Sequence, residues 1–162
     1  MQEKDELTKL FKLVNMNEVA VSNDEMPIVG TQALATCVGV LIYSEKYKCA
    51  LVAHVGTEWQ NLLESIFELL IKNELDSAPL EYLIIPGYYY NHYEVVENLS
   101  AIFADLYPLF VPMQVSLDNG VYIKDPKLPA HQFAFDARTK KFVTNQVLFG
   151  KEYFDVQSNL KK

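Results

Sequence analysis

Two apolar, β-branched runs of nearly equal length, CVGVLIY over 37–43 and KCALVAHV over 48–55, stand either side of the polar stretch Ser44-Glu45-Lys46-Tyr47. Runs this short and this rich in Val, Leu and Ile read as strands buried on both faces, and so brief a connection makes them an antiparallel hairpin. Such a hairpin needs cover on both sides. The rest of the 162-residue chain, which is 50% hydrophobic overall, can supply it. Trp59, Leu62, Leu63, Ile66, Phe67 and Leu70 recur at helical spacing, so an amphipathic helix is expected over 58–73, with Thr57 and Gln60 as a capping box. Val95, Val96, Leu99, Ile102, Phe103 and Leu106 predict a second helix, opened by Asn91 with Glu94 and stopped by Pro108.

The remaining segments read as strands. Residues 11–21 mostly alternate and are expected to form one strand, straight or bent, before the turn at Asn23-Asp24-Glu25 and Pro27. Further strands are expected at 82–86, 109–117, 120–124 and 132–149, the last folded at a tight turn over 136–140. The order of strands, helix, strand, helix and strands, with no repeat and no linker, gives a single α+β domain. It should contain mixed or antiparallel, sandwich-like sheets flanked by two main helices. Residues 1–9 are expected to be disordered or frayed, 10–155 to form the domain, and 156–162 to be a polar tail.

Charge and residue usage exclude several functions. Net charge is −7, and the 14 Lys and Arg residues are scattered, so a phosphate-tracking surface for nucleic acid is not expected. No apolar stretch nears the roughly 20 residues of a membrane span, and the polar start has no signal-like apolar region. Those features suggest a cytoplasmic protein without membrane insertion, or one exported without a cleaved signal. The two cysteines, Cys37 and Cys49, are too few for a disulfide scaffold. His92 and His131 could join Cys37 and His54 around a metal only without any paired ligand spacing, so neither metal nor cofactor is expected. Nothing in the sequence sets the oligomeric state.

The hairpin carries the chemistry. If Ser44 to Tyr47 form the connection and Tyr43 faces Lys48, opposed residue numbers add to 91, and Cys37 faces His54. Opposed Cβ atoms lie roughly 4.5–5.5 Å apart, close enough for an imidazole to take the thiol proton and hold the thiolate as an ion pair. The same register puts Cys49 opposite Ile42 on the other face, so no disulfide is expected. Taken alone, Cys37 is better explained as a small buried hydrophobe.

The segments Glu18 to Ser22, Gly30-Thr31-Gln32-Ala33-Leu34-Ala35-Thr36-Cys37-Val38-Gly39-Val40 and Leu51-Val52-Ala53-His54 resemble the CheD chemoreceptor glutamine deamidase family, whose pattern is roughly T-x-G-L-G-S-C-V-x-V, a short hairpin, then A-H or N-H. The Thr-to-Cys and Cys-to-His intervals both match. The later order of elements is also similar, down to the closing segment Phe133 to Val143, so the likeness spans residues 16–146. Leu34-Ala35-Thr36-Cys37 also fits the looser L-x-x-C signature of the wider deamidase superfamily, which includes cytotoxic necrotizing factor toxins. This sequence departs from the family at Ala33 and Ala35, where both glycines are lost, at Val55-Gly56-Thr57-Glu58, and at Gly87-Tyr88-Tyr89-Tyr90.

The resemblance implies Cys37 as nucleophile, His54 as general base and acid, and Thr31 as the residue that orients His54. It implies hydrolysis of a protein glutamine side chain through a thioester, with a glutamine-bearing protein as partner. Tyr88, Tyr89 and Tyr90 are candidates for contacting that substrate, because loops at strand ends often carry binding residues. Two other readings remain open: a non-catalytic interaction module with the same fold, and a related cysteine hydrolase such as a transglutaminase or protease.

Overall fold

The computed structural model describes residues 2–89, 93–115, 121–124, 129–144 and 149. Within them the chain is α+β, with two five-stranded sheets and three helices. The first sheet holds β1 (Phe11–Val14), β3 (Ile28–Leu34), β9 (His131–Asp136) and β10 (Lys141–Phe142), in that order, with β8 (Ile123–Lys124) also paired to β9. The second runs β2 (Val19–Val21), β5 (Cys49–Val55), β4 (Val38–Ser44), β6 (Leu80–Pro86) and β7 (Phe110–Pro112). Each sheet is mixed, since β1 pairs β3 in parallel and β6 pairs β7 in parallel. The expected fold class is the one observed. No helix among the described residues is long and apolar enough to cross a membrane.

The two sheets face each other over Val29, Leu34, Leu41, Tyr43, Val52, Ile85, Phe133 and Phe135. The outer face of the second sheet, with Val38, Val40, Ile42, Leu51, Ala53 and Val55, is covered by α2 (Trp59–Lys72) and α3 (Tyr93–Asp105). Leu62, Ile66 and Leu70 from α2 and Leu99 and Phe103 from α3 are buried there. Every residue of β4 is therefore buried, alternate ones facing the opposite sheet and the helices. Fully burying a Val, Leu or Ile side chain contributes about 1.5–3 kcal/mol. The hairpin thus belongs at the centre of the molecule because nowhere else satisfies both of its faces.

Several expectations need correction. Residues 2–10 form helix α1 instead of a frayed start; Leu7 and Leu10 give it an apolar edge, which packs against Phe11, Ile28 and Ala134 on the outer face of the first sheet. The single strand expected over 11–21 is two strands in different sheets, divided by a turn in which Asn17 adopts φ 63°. Helix α2 is preceded by Glu58 with no side-chain cap, so the Thr57–Gln60 capping box does not form. Among the described residues, the strands expected over 109–117 and 120–124 are seen as β7 and β8, and the described part of the last segment forms the β9–β10 hairpin, turning at 137–140. Asn91, His92, Tyr90 and the proposed tail lie outside the described residues.

The hairpin register also differs. The connection is four residues long, as expected, but it comprises Glu45 to Lys48, one residue further along the chain. Lys48 takes the left-handed turn at φ 50°, and the Tyr47 amide donates to Ser44 Oγ at 3.2 Å. Ser44 consequently pairs with Cys49, Ile42 with Leu51, and Gly39 with His54. A shift of one residue in the turn moves the pairing by two, which keeps every side chain on its expected face.

Strand β3 departs from regular pairing where it approaches the cysteine. Thr31 pairs with Phe133 and Leu34 with His131, so β3 carries one residue more than β9 across this interval. The extra residue creates a bulge in which Ala33 sits exposed at φ 60°. Its effect is to turn both Thr31 and Leu34 toward the interior, which strict alternation forbids. Ala33 occupies a position where the resembled family has glycine, and a left-handed residue with a Cβ is about 1–2 kcal/mol less favourable.

Candidate active site

The inward residues of β3, β4 and β5 bring the predicted site together from both sheets. Thr31 projects from the first sheet and His54 from the second, and Thr31 Oγ1 lies 2.7 Å from His54 Nδ1. Thr31 Oγ1 also lies 2.6 Å from the backbone carbonyl of Val14, its partner on β1. A hydroxyl has one proton to donate, and a carbonyl can only accept. The Thr31 proton is therefore committed to Val14, and Thr31 accepts from Nδ1–H. That assignment leaves the lone pair of His54 on Nε2. His54 is only 2% exposed, and its Nε2 has no hydrogen-bond partner.

Cys37 sits in the last position before β4, on the same inward side as Gly39, Leu41 and Tyr43. Because Gly39 pairs with His54, Cys37 is a diagonal neighbour of His54 and does not face it directly. Diagonal partners, with Cβ atoms a little under roughly 7–8 Å apart, still interact through longer side chains. The sulfur makes no hydrogen bond to Nε2 in this conformation. The directly opposed dyad is thus replaced by a diagonal pair on one face. Catalytic hydrogen bonds are often long before substrate arrives and shorten in the complex.

Electrostatics also revise the expected resting state. Burial pushes the His54 imidazole down to about 4. Burial likewise pushes the Cys37 thiol up, and a hydrogen bond with the Thr36 side chain opposes that only in part. Both shifts favour the neutral forms. At neutral pH the pair rests as thiol and imidazole, so the preformed thiolate–imidazolium pair expected from the hairpin is not the ground state.

The depressed His54 value has a consequence for stability. Between about pH 6.5 and about pH 4 the unfolded chain binds a proton at this residue that the folded chain does not. The stabilisation from holding His54 neutral is complete above that window and is lost as pH falls through it, by about 3 kcal/mol in all. Urea unfolding of the wild type and His54→Gln between pH 7 and 4 should show the variant losing about 3 kcal/mol less than the wild type over this range. Parallel profiles would show that His54 is protonated as readily when folded as when unfolded.

Glycines shape the site on two sides. A Cβ on Gly39 would stand 2.6 Å from Phe133 Cε1 and 3.1 Å from Leu34 Cδ1, so the Phe133 ring fills the space over Gly39 beside His54. A Cβ on Gly87 would stand 2.6 Å from the Cys37 carbonyl oxygen, to which the Gly87 amide donates at 2.9 Å. The Tyr88 and Tyr89 amides donate to the Leu34 and Ala35 carbonyls at 2.9 and 2.8 Å. The loop after β6 is therefore clamped to the segment that delivers Cys37. Around the sulfur itself, the amides of Thr36 and Cys37 donate to no backbone carbonyl among the described residues.

Tyr88 and Tyr89 are both partly exposed, at 44% and 57%, and their rings meet edge to face. Lys124 Nζ lies 5.7 Å from the Tyr88 ring centre, and His131 stacks on Tyr122 at 4.0 Å. These groups line the surface next to the Cys37 segment, whereas Tyr90 lies outside the described residues. His131 Nδ1 bonds the Pro86 carbonyl at 3.0 Å. Cys49, on the helix-facing side of the hairpin, is held by Ser22, and both cysteines are free thiols. Sequence reasoning missed Asn17, whose backbone amide donates to the His54 carbonyl at 2.9 Å. The available signal was residue type, since Asn tolerates the left-handed region better than most.

No protein-family model matches the chain, and no curated protein matches it.

Proposed function

We propose that the chain is a cysteine-dependent protein glutamine deamidase with Cys37 as nucleophile, His54 as general base and acid, and Thr31 orienting His54. One observation carries this reading. A buried imidazole has Nδ1 tied to a hydroxyl whose own proton is committed elsewhere, and its Nε2 lone pair is unengaged on the face that holds a free thiol. A histidine kept only for packing would gain from a partner at Nε2, because a buried polar atom without one costs about 1–3 kcal/mol. The likeness of these three residues and their spacing to the CheD deamidases supports the same assignment. A compartment that keeps thiols reduced, such as the cytoplasm, suits a mechanism that needs Cys37 free.

In this mechanism the Cys37 thiol gives its proton to His54 Nε2 as its sulfur attacks the side-chain amide carbon. The carbon–oxygen π pair moves to oxygen, and the backbone amides of Thr36 and Cys37 are the donors assigned to that oxyanion. Collapse breaks the carbon–nitrogen bond, Nε2–H protonates the leaving nitrogen, and ammonia departs from a thioester. Water then attacks the thioester, passing a proton to Nε2. Collapse of the second intermediate returns that proton to sulfur and leaves glutamate. Because both groups rest neutral, the proton moves during attack and need not be transferred beforehand.

Incubating glutamine-rich test proteins with the chain, with and without a primary amine, tests this reading. Deamidation predicts ammonia release and the mass change of an amide-to-acid exchange, both lost in Cys37→Ser. Incorporation of the amine would identify transglutamination instead, and cleaved backbone would identify a protease. A second reading, a non-catalytic interaction module, is favoured by the 8% exposure of Cys37 and by the missing bond between its sulfur and Nε2. It predicts no mass change in any protein that the chain binds.

A further inference from the structure

The approach to Cys37 is bounded by a residue that the mechanism above does not use. A Cβ on Gly56 would stand 3.0 Å from Asn17 Oδ1 and 3.8 Å from Cys37 Sγ. The space left by the missing side chain therefore lies between the nucleophile and a side-chain carbonyl. Asn17 is exposed and Gly56 is partly exposed, so this position lies near the surface beside the sulfur. The Asn17 turn is also fixed to the site, because His54 accepts from the Asn17 amide at 2.9 Å and donates to the Glu18 carbonyl at 3.1 Å. Glu18 Oε1 accepts from the Asn15 amide at 3.0 Å, bracing the turn from the other side.

We infer that Asn17 Oδ1 accepts a hydrogen bond from the N–H of the substrate carboxamide and selects an amide over the carboxylate product; this rests on the deamidase reading. The dimensions suit the role. A carboxamide carbon about 3–3.5 Å from the sulfur is in attacking position, and its nitrogen can then donate to Oδ1 at about 2.9 Å. The product carboxylate has no N–H to offer, and its oxygen would face the Asn17 carbonyl lone pairs. A site built to accept a hydrogen bond rejects an analogue that lacks the donor. Gly56 is needed because any side chain there would occupy the space the carboxamide takes.

Iodoacetamide and iodoacetate separate the two chemistries with one reaction at one sulfur. In each, the sulfur–carbon bond forms, iodide leaves, and the thiol proton passes to His54 and then to solvent. Only the first reagent carries a primary carboxamide, while the second resembles the product acid. Alkylation of Cys37 and Cys49 is followed by peptide mass spectrometry in the wild type, Asn17→Gly and Asn17→Asp. Both substitutions tolerate the positive φ of this turn.

The preference of Cys37 for iodoacetamide over iodoacetate should fall about tenfold in Asn17→Gly, the size of one neutral hydrogen bond. Asn17→Asp should keep that preference, because its carboxylate still accepts from the amide N–H. The Cys49 preference should be unchanged in both variants. An unchanged Cys37 preference in Asn17→Gly would overturn the role of Asn17 and leave the deamidase reading standing. Loss of preference in Asn17→Asp as well would show that the side chain acts as a donor or only as turn structure, and would also overturn it. Cys37 lagging behind Cys49 with both reagents in the wild type would overturn the deamidase reading and this inference together.

Discussion

On the proposed deamidase reading, Cys37→Ser is expected to reduce glutamine deamidation by at least about a thousandfold while leaving the unfolding free energy within about 1 kcal/mol of the wild type. The first half follows from chemistry. A serine hydroxyl has a far higher pKa than a thiol, and a neutral His54 pushed down to about 4 is a weak base for it. The second half follows from packing. Cys37 is buried among Leu34, Leu41 and Ile85, and replacing sulfur by oxygen changes its volume little. A large loss of stability would mean that Cys37 is principally a core residue, and retained activity would remove it from the mechanism.

Gly30→Ala is expected to have the largest effect on folding, a loss of more than about 4 kcal/mol or outright failure to fold. An added Cβ would overlap the Phe133 carbonyl and lie 2.7 Å from Ala134 Cα, and both are backbone atoms of the neighbouring strand. Side chains can swing aside, whereas a paired strand cannot retreat without breaking its ladder. Gly30 pairs with Ala134 and the next residue, Thr31, pairs with Phe133, so any retreat of β9 also disturbs the residue that orients His54. Urea unfolding reads the result directly. A variant within about 1 kcal/mol of the wild type would show that the two strands do not approach this closely.

How much of this was legible beforehand depended on what each signal encodes. The alternation of helix-facing and sheet-facing residues made α2, α3 and the hairpin readable, because burial of an apolar face leaves a period in the sequence. The hairpin register was not readable in the same way. Both faces of β4 are buried, so alternation there does not say which residue meets which, and the pairing is decided in the turn. Ser44 and Lys48 set it through a side-chain bond and a left-handed backbone, neither of which leaves a hydrophobic pattern.

The site shows the same division. Cys37 and His54 could be placed on one face from parity alone, and a two-residue shift preserved that face. Thr31 was visible only through likeness to a family, since its meeting with His54 spans two sheets and no local spacing encodes it. The bulge at Ala33, which turns Leu34 inward, was hidden because an alanine stands where a left-handed residue is usually glycine or asparagine. Asn17 was missed because the alternation over 11–21 masked the turn between β1 and β2.

The central claim is that His54 Nε2 serves as base for the Cys37 thiol. Alkylation rates at neutral pH for Cys37 in the wild type and in His54→Gln, with Cys49 as the reference thiol in the same molecule, test it most directly. Accessibility alone favours Cys49, which is partly exposed while Cys37 is buried, and burial pushes both thiols up. The account predicts that Cys37 nevertheless reacts faster than Cys49, and that His54→Gln slows Cys37 by about tenfold or more without changing Cys49. Cys37 reacting no faster than Cys49, or reacting equally fast without the imidazole, would contradict it.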